Sequence, residues 1–370
     1  MTNPFIHLVL VLAAVAGPAP AHQLQRDADA MQRLGITGVQ ARAVTPGGER
    51  VATSGVADLT SGRPVPADGR FRIASTAKTL VATVTLQLVG EGRLSLDDTV
   101  ERWLPGVVQG NGNDGSRITV RQLLQHTGGL HDDFPDFVSA ADYYAHRYDV
   151  YSPADLVARS MRHAPDFAPG AAWQYSSIGY VLVDLIIERV TGRPWYDEVR
   201  DRIVRPLGMT ATSWPGSDPS VPGPHARGYQ PYDGVLVDVT EQVVADPEAA
   251  IVSTTADLNR FFRALLGGRL LRPAQLAEMT RTVPVEGGLE EIMPGARYGL
   301  GLFVRPLPCG GVYYGHPGGG SGYVTDTGVT PGGRRSVVVS ASSVLGGSAA
   351  DFIRQQHAAD RLVEHALCDR

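Results

Sequence analysis

Arg70-Phe71-Arg72-Ile73-Ala74-Ser75-Thr76-Ala77-Lys78-Thr79-Leu80 holds the only lysine in the chain. Every other basic side chain is Arg. A guanidinium stays protonated in a protein, whereas a buried ammonium can give up its proton. The one position kept as Lys, three residues after a serine, is therefore where proton chemistry is expected. Residues i and i+3 share a helix face, so Ser75 Oγ and Lys78 Nζ can meet. A serine hydroxyl is a weak nucleophile until a neighbouring group takes its proton. Desolvation lowers a lysine's pKa and can make it that group. The spacing alone equally suits a surface Ser and Lys on one helix.

Around this stretch, residues 39–44 and 50–56 read as strands joined by a turn at Pro46-Gly47-Gly48. The helix carrying Ser75 runs to about Val89, with Leu80, Val81, Val84 and Leu88 inward and Gly90 and Gly92 at its end. Thr119-Val120-Arg121-Gln122 is a capping box opening a helix, which His126-Thr127-Gly128-Gly129-Leu130 breaks. Further helices are expected over residues 153–161, 178–190, 199–206 and 255–266. Strands follow at 298–304, 311–314, 323–329 and 336–341. A last amphipathic helix, 349–367, is expected to bury Phe352, Ile353, Leu362 and Val363. Gly110-Asn111-Gly112-Asn113-Asp114-Gly115 formally matches a dinucleotide loop, but no βαβ unit surrounds it.

Strand pieces thus lie at both ends of the chain, with helices between. The economical fold is α/β in the α+β sense: one antiparallel sheet flanked by helices, with an inserted all-helical domain. The expected division is a sheet domain from residues 22–100 and 255–370 and a helical insert over 101–254. At 370 residues the chain can bury a large core, and its net charge is −5. No basic run suggests nucleic acid. Residues 5–16 are apolar but too short a run to span a bilayer. Ala19-Pro20-Ala21 then gives a cleavage pattern, so residues 1–21 read as a secretory signal peptide and the mature protein as secreted, without a stable membrane anchor. Cys309 and Cys368 are the two cysteines. In an exported chain they suggest a disulfide, worth about 4 kcal/mol by loop-closure entropy.

Two more stretches complete a site: Pro169-Gly170-Ala171-Ala172-Trp173-Gln174-Tyr175-Ser176-Ser177 and Tyr314-Gly315-His316-Pro317-Gly318-Gly319-Gly320. With Ser75-Thr76-Ala77-Lys78 they resemble the serine β-lactamase and penicillin-binding superfamily, in the branch of class C β-lactamases and secreted D-alanyl-D-alanine carboxypeptidases. The resemblance extends from about Leu24 to Cys368 and includes Gln122-Leu123-Leu124-Gln125-His126-Thr127-Gly128-Gly129-Leu130 and Tyr298-Gly299-Leu300-Gly301-Leu302. It implies the β-lactamase/DD-peptidase-like fold and an acyl-enzyme on Ser75. Lys78 and Tyr175 would handle the proton, which of them is the base being left open. The backbone N–H groups of Ser75 and Gly319 would form the oxyanion hole. Ser177, His316, Gly318 and Arg305 would contact substrate. No cofactor or metal is implied. The implied partner is a small-molecule or peptide substrate with an acyl group, and the implied state is a monomer.

The pattern departs from the family at four places. Ser177 stands where Asn usually holds the substrate amide. Pro317 stands where Thr is usual, and Gly319 where a second hydroxyl is frequent. Phe303 replaces an Arg that helps hold a carboxylate, and Arg305, two residues on along the same strand face, is the candidate substitute. The reading is therefore a secreted serine hydrolase related to β-lactamases and D-alanyl-D-alanine carboxypeptidases. Within it, the departures favour an esterase on short acyl esters with weak peptidase and β-lactamase activity. A non-catalytic penicillin-binding-like module is the alternative class. His126, His131, Asp132 and Asp133 could be imagined as metal ligands. Without zinc-ligand spacing they read instead as a loop rimming the cleft.

Overall fold

The computed structural model describes residues 20–346 and 348–368, so the expected signal segment lies, but for Pro20 and Ala21, outside the described residues. Among those described, nine strands form the main antiparallel sheet: β1 (Gly38–Thr45), β2 (Gly48–Gly55), β3 (Val283–Pro284), β4 (Arg297–Tyr298), β5 (Phe303–Pro306), β6 (Val312–Gly315), β7 (Gly318–Gly320), β8 (Tyr323–Val329) and β9 (Ser336–Ala341). Their order is β2-β1-β9-β8-β6-β5-β4-β3, with β7 pairing onto β8. The N-terminal strand β1 pairs antiparallel with the C-terminal β9, Val39 opposite Ala341. This closes the sheet from both ends of the chain.

Alternation along β1 explains the two faces. Val39, Ala41 and Ala43 join a core with Leu24, Ala28 and Met31 of the helix Pro20–Arg33 and with Ala359, Leu362 and Val363 of the helix Ala349–Cys368. On the opposite face Arg42 donates from Nε to Thr255 Oγ1 (3.2 Å), at the start of the helix Thr255–Leu266. The larger core lies beyond that helix. It gathers the helix Lys78–Gly90, the helix Ile178–Thr191 and the apolar positions of residues 94–124. The helix Lys78–Gly90 is buried at ten of its positions, so the Ser75–Lys78 step begins inside the protein.

The capping box forms as read, with Thr119 accepting from Gln122 N and the Gln122 side chain reaching back. Gly192 ends the helix Ile178–Thr191 at φ +73°, the left-handed backbone that glycine tolerates. Other expectations are corrected. Residues 298–304 are not one strand: Gly299 N–H donates to Leu302 O (2.9 Å), and the chain turns at Gly301, φ +78°. Thr79 Oγ1 donates to Gly301 O (2.6 Å), so the lysine-bearing helix draws that turn in. Ser75 lies in a 3₁₀ turn, Ala74–Ala77, and the α-helix starts at Lys78. The helix expected over 199–206 begins earlier, as Trp195–Val199, and continues into one π-turn, Arg200–Val204. Leu362 and Val363 are buried as expected, but Phe352, in the first turn of the last helix, is 43% exposed and Ile353 beside it is only half-buried. Residues 109–114 form a small hairpin.

Strand β7 lies against the Ser75 turn. A Cβ on Gly318 would stand 2.2 Å from Ile73 O and 2.9 Å from Thr76 Oγ1, whereas one on Gly319 would meet nothing within 4 Å. Gly318→Ala should therefore push β7 off the turn and destabilise the protein by about 1–3 kcal/mol. Gly319→Ala should change stability by less than about 0.5 kcal/mol. Denaturant midpoints check this, and equal midpoints for the two variants would refute the packing described.

Candidate active site

Backbone geometry brings the three motif stretches together. Ala74 adopts φ +46°, a conformation costly for a non-glycine residue. It presents Ser75 as the only residue between Phe71 and Leu80 that is not buried. Phe71–Arg72 pairs with Val252–Ser253, and Ile73 N–H donates to Ile251 O (2.9 Å). This lays residues 246–251 beside the start of the lysine helix. Arg72 is itself buried and donates to Thr240 O (2.6 Å), Pro219 O (2.7 Å) and Gln242 O (3.1 Å). The long connection leading into Asp246 is thereby clamped.

Lys78 Nζ lies 3.4 Å from Ser75 Oγ and 5.5 Å from the centre of the Tyr175 ring. It is fully buried, with Asp246 Oδ2 and Glu248 Oε2 each at 3.7 Å. Burial works to lower its pKa, yet the net shift is well upward, because Tyr175, Asp246 and Glu248 favour the charged form. This corrects the expectation that desolvation frees Lys78 as an amine. Burial likewise raises the Tyr175 phenol, against the opposing pull of Lys78. At neutral pH the resting site therefore holds an ammonium beside a neutral phenol. Among the described residues the buried Tyr175 hydroxyl completes no hydrogen bond, and the side chain it faces is that of Ser75.

Tyr175 is held from below. Gln174 N–H donates to His126 O (3.1 Å) and Ser176 N–H to His126 Nδ1 (3.2 Å). Asp132 accepts from Ser176 Oγ (3.0 Å), Ser177 N (2.7 Å) and Ile178 N (2.9 Å), capping the helix Ile178–Thr191. A ladder continues from His126. With Nδ1 accepting from Ser176, Nε2–H donates to Tyr298 Oη (3.1 Å), which donates to His316 Nε2 (3.0 Å), and His316 Nδ1–H donates to Pro317 O (2.6 Å). Both imidazoles stay neutral in this chain. Burial holds His126 well below the ordinary range and His316 at about 3.

These contacts place the other sequence candidates. His316 is 1% exposed and both ring nitrogens face protein partners, so its ring supports Tyr175 from behind and does not reach into the cleft. Arg305 is not a carboxylate holder: its guanidinium makes a two-pronged pair with Asp360 of the last helix, at 2.5 and 2.7 Å. Phe303 is buried against the His316 and Tyr298 rings. Gly318 faces the Ser75 turn, while Gly319 stands exposed at the strand edge. Ser177 is half-buried at the helix start and leaves the capping to Asp132. His126 and Asp132 both lie in loop segments; the His126 ring packs on Tyr175, with centroids 4.3 Å apart, and Asp132 caps the helix that follows Tyr175. His131 pairs with Asp166, and Asp133 with Arg159 and His163. Among the described residues no group of three or more His, Cys, Asp or Glu side chains is placed to hold a metal ion.

Sequence reasoning missed Asp246, Glu248 and Asp184. The signal was an acid inside the apolar run Val181-Leu182-Val183-Asp184-Leu185-Ile186-Ile187. Asp184 is 2% exposed, both its oxygens lack a hydrogen-bond donor, and burial raises its pKa well above the carboxylate range.

Residues 25–360 match the family model described as Beta-lactamase. Penicillin-binding protein 4* of Bacillus subtilis is 32% identical over 290 residues, which span 73% of this chain and 60% of that protein. Esterase EstB of Burkholderia gladioli is 36% identical over 175 residues, 45% of this chain and 43% of that one. A D-stereospecific amidohydrolase from Streptomyces superposes with a TM-score of 0.82 at 38% identity, covering 91% of this chain and 98% of its own. The chain belongs to the β-lactamase family and is a serine hydrolase of that fold.

Proposed function

We propose that this protein hydrolyses small acyl substrates through an acyl-enzyme on Ser75, with esters preferred over peptides that end in a free carboxylate. The observation that carries the reading is Ser75 Oγ at 3.4 Å from a fully buried Lys78, with Tyr175 alongside. Once the Lys78–Tyr175 pair has lost one proton to solvent, Ser75 Oγ attacks the acyl carbon and its proton passes to that pair. The oxyanion forms between the N–H groups of Ser75 and Gly319, each such donor being worth about 3 kcal/mol in the transition state. The pair returns the proton to the leaving group, and water then releases the acyl chain.

Substrate preference follows from what the cleft lacks. Arg305, the one cation considered for a carboxylate, is committed to Asp360. Pro317 has no donor, Gly319 no side chain, and Phe303 is apolar and buried. Each missing charged hydrogen bond removes roughly 1.5–3 kcal/mol of grip on a carboxylate. The likeness to the Streptomyces amidohydrolase favours a second reading, in which amides of D-amino acids are also cleaved. Export belongs to the proposal. Its supports are the apolar run 5–16 with the Ala19-Pro20-Ala21 pattern after it, and the sulfurs of Cys309 and Cys368, which lie at bonding distance with Cα atoms 5.8 Å apart.

A panel of kcat/KM values tests the preference: a short acyl ester, a D-amino acid amide, a cephalosporin and an N-acyl-D-Ala-D-Ala peptide. The ester should exceed the peptide by at least about a hundredfold, the equivalent of two lost hydrogen bonds at the low end. Peptide turnover matching the ester would contradict it. For the disulfide, alkylation of the unreduced, denatured exported protein should leave its mass unchanged; two added alkyl groups would refute the bond.

A further inference from the structure

Lys78 does not stand alone with its nucleophile partner. Its ammonium is enclosed, and the groups facing it come from four directions. Asp246 and Glu248 reach it from the segment beside its own helix, each at 3.7 Å. Asp184 and Tyr180 face the same cluster from the helix Ile178–Thr191, and Tyr175 from the stretch before that helix. Tyr298, the neutral His126 and His316, and Asp132 also face it. Glu248 is 0% exposed, and among the described residues neither side-chain oxygen accepts a hydrogen bond, so the Lys78 ion pair is the one polar partnership of its side chain there. A buried carboxylate left this bare is costly unless charge pairing compensates it.

We propose that Glu248 is a positioning residue for acylation: its buried carboxylate, together with Asp246, sets the protonation state of Lys78. This rests on the reading of Ser75 and Lys78 as the acylation pair. With Lys78 charged and Tyr175 neutral at rest, the pair must lose one proton before it can take the proton of Ser75. Acylation therefore rises with pH on the alkaline side of neutrality. The negative charge of Glu248 raises both Lys78 and Tyr175. Removing it lets burial lower Lys78 and also lowers Tyr175, so the rising limb moves to lower pH whichever of the two is the base. Glu248 itself is pushed up to about 8, first by burial and then by Asp246, against the pull of Lys78.

Because Lys78 is the only lysine, protein labelled with ¹³C,¹⁵N-lysine gives one side-chain resonance that needs no assignment. In the wild type its shift should show an inflection near pH 8, from Glu248, before its own titration. In Glu248→Gln that inflection should vanish. The Lys78 midpoint and the rising limb of ester acylation should then both fall by about one pH unit or more, the scale of one lost close countercharge. Glu248→Asp should restore most of the shift. A Lys78 midpoint unchanged or raised in Glu248→Gln would overturn the proposal. If that variant does not fold, Asp246→Asn should still lower the midpoint, and the absence of any wild-type inflection below the lysine's own titration would overturn it. Lys78 titration is read without turnover, so failure of the Ser75 reading would appear separately, as lost acylation with the Glu248-dependent shift intact.

Discussion

An ammonium taken wholly out of water must be met by negative charge, and much of this site follows from that requirement. Burying Lys78 without Asp246 and Glu248 would carry a penalty of several kcal/mol. Those two carboxylates come from a connection far along the chain, so their placement cannot be local. It depends on Arg72, whose guanidinium binds three backbone carbonyls between Pro219 and Gln242. It also depends on Phe71–Arg72 pairing with Val252–Ser253. The residues just before Ser75 thus present the serine at the surface and deliver the anions that surround its lysine.

The second support is neutral. Tyr175 is carried on a stretch tied to His126 and capped by Asp132, and the His126–Tyr298–His316 ladder joins the helical side of the cleft to strand β6. Neutral imidazoles suit this position. A charged one would lie in the same low-dielectric region as Lys78 and repel it, and Lys78 contributes to lowering both histidines. The ladder fixes the ring of Tyr175 from below while its hydroxyl, which completes no hydrogen bond among the described residues, faces Ser75. A group that must exchange a proton during a reaction benefits from that placement.

Local rules made much of the fold legible. The Ser75–Lys78 spacing, the Thr119–Gln122 capping box, the helix Thr255–Leu266 and the pairing of the first strand with the last all follow from periodicity, caps and connection economy. What stayed hidden depends on contacts distant in sequence. Gly301 looks like strand interior until Thr79 draws it onto the helix. Phe352 has the periodicity of core, but the packed part of the last helix begins only near Ala358, so its first turn stays exposed. Arg305 lies on the right strand face to reach a substrate, but Asp360, 55 residues away, takes it. The one lysine lies beside Ser75, as the spacing implies, while the acids that surround it come from segments too distant in sequence to be read locally.

Every step of the proposed reaction depends on Ser75 being the group that is acylated. Incubating the folded protein with a fluorophosphonate and digesting it with trypsin measures this, because cleavage at Arg72 and Lys78 isolates the six residues that contain Ser75. One adduct per chain on that peptide, sited on Ser75 and lost in Ser75→Ala, is the predicted result. An unmodified peptide, or an adduct that persists in Ser75→Ala, would contradict it.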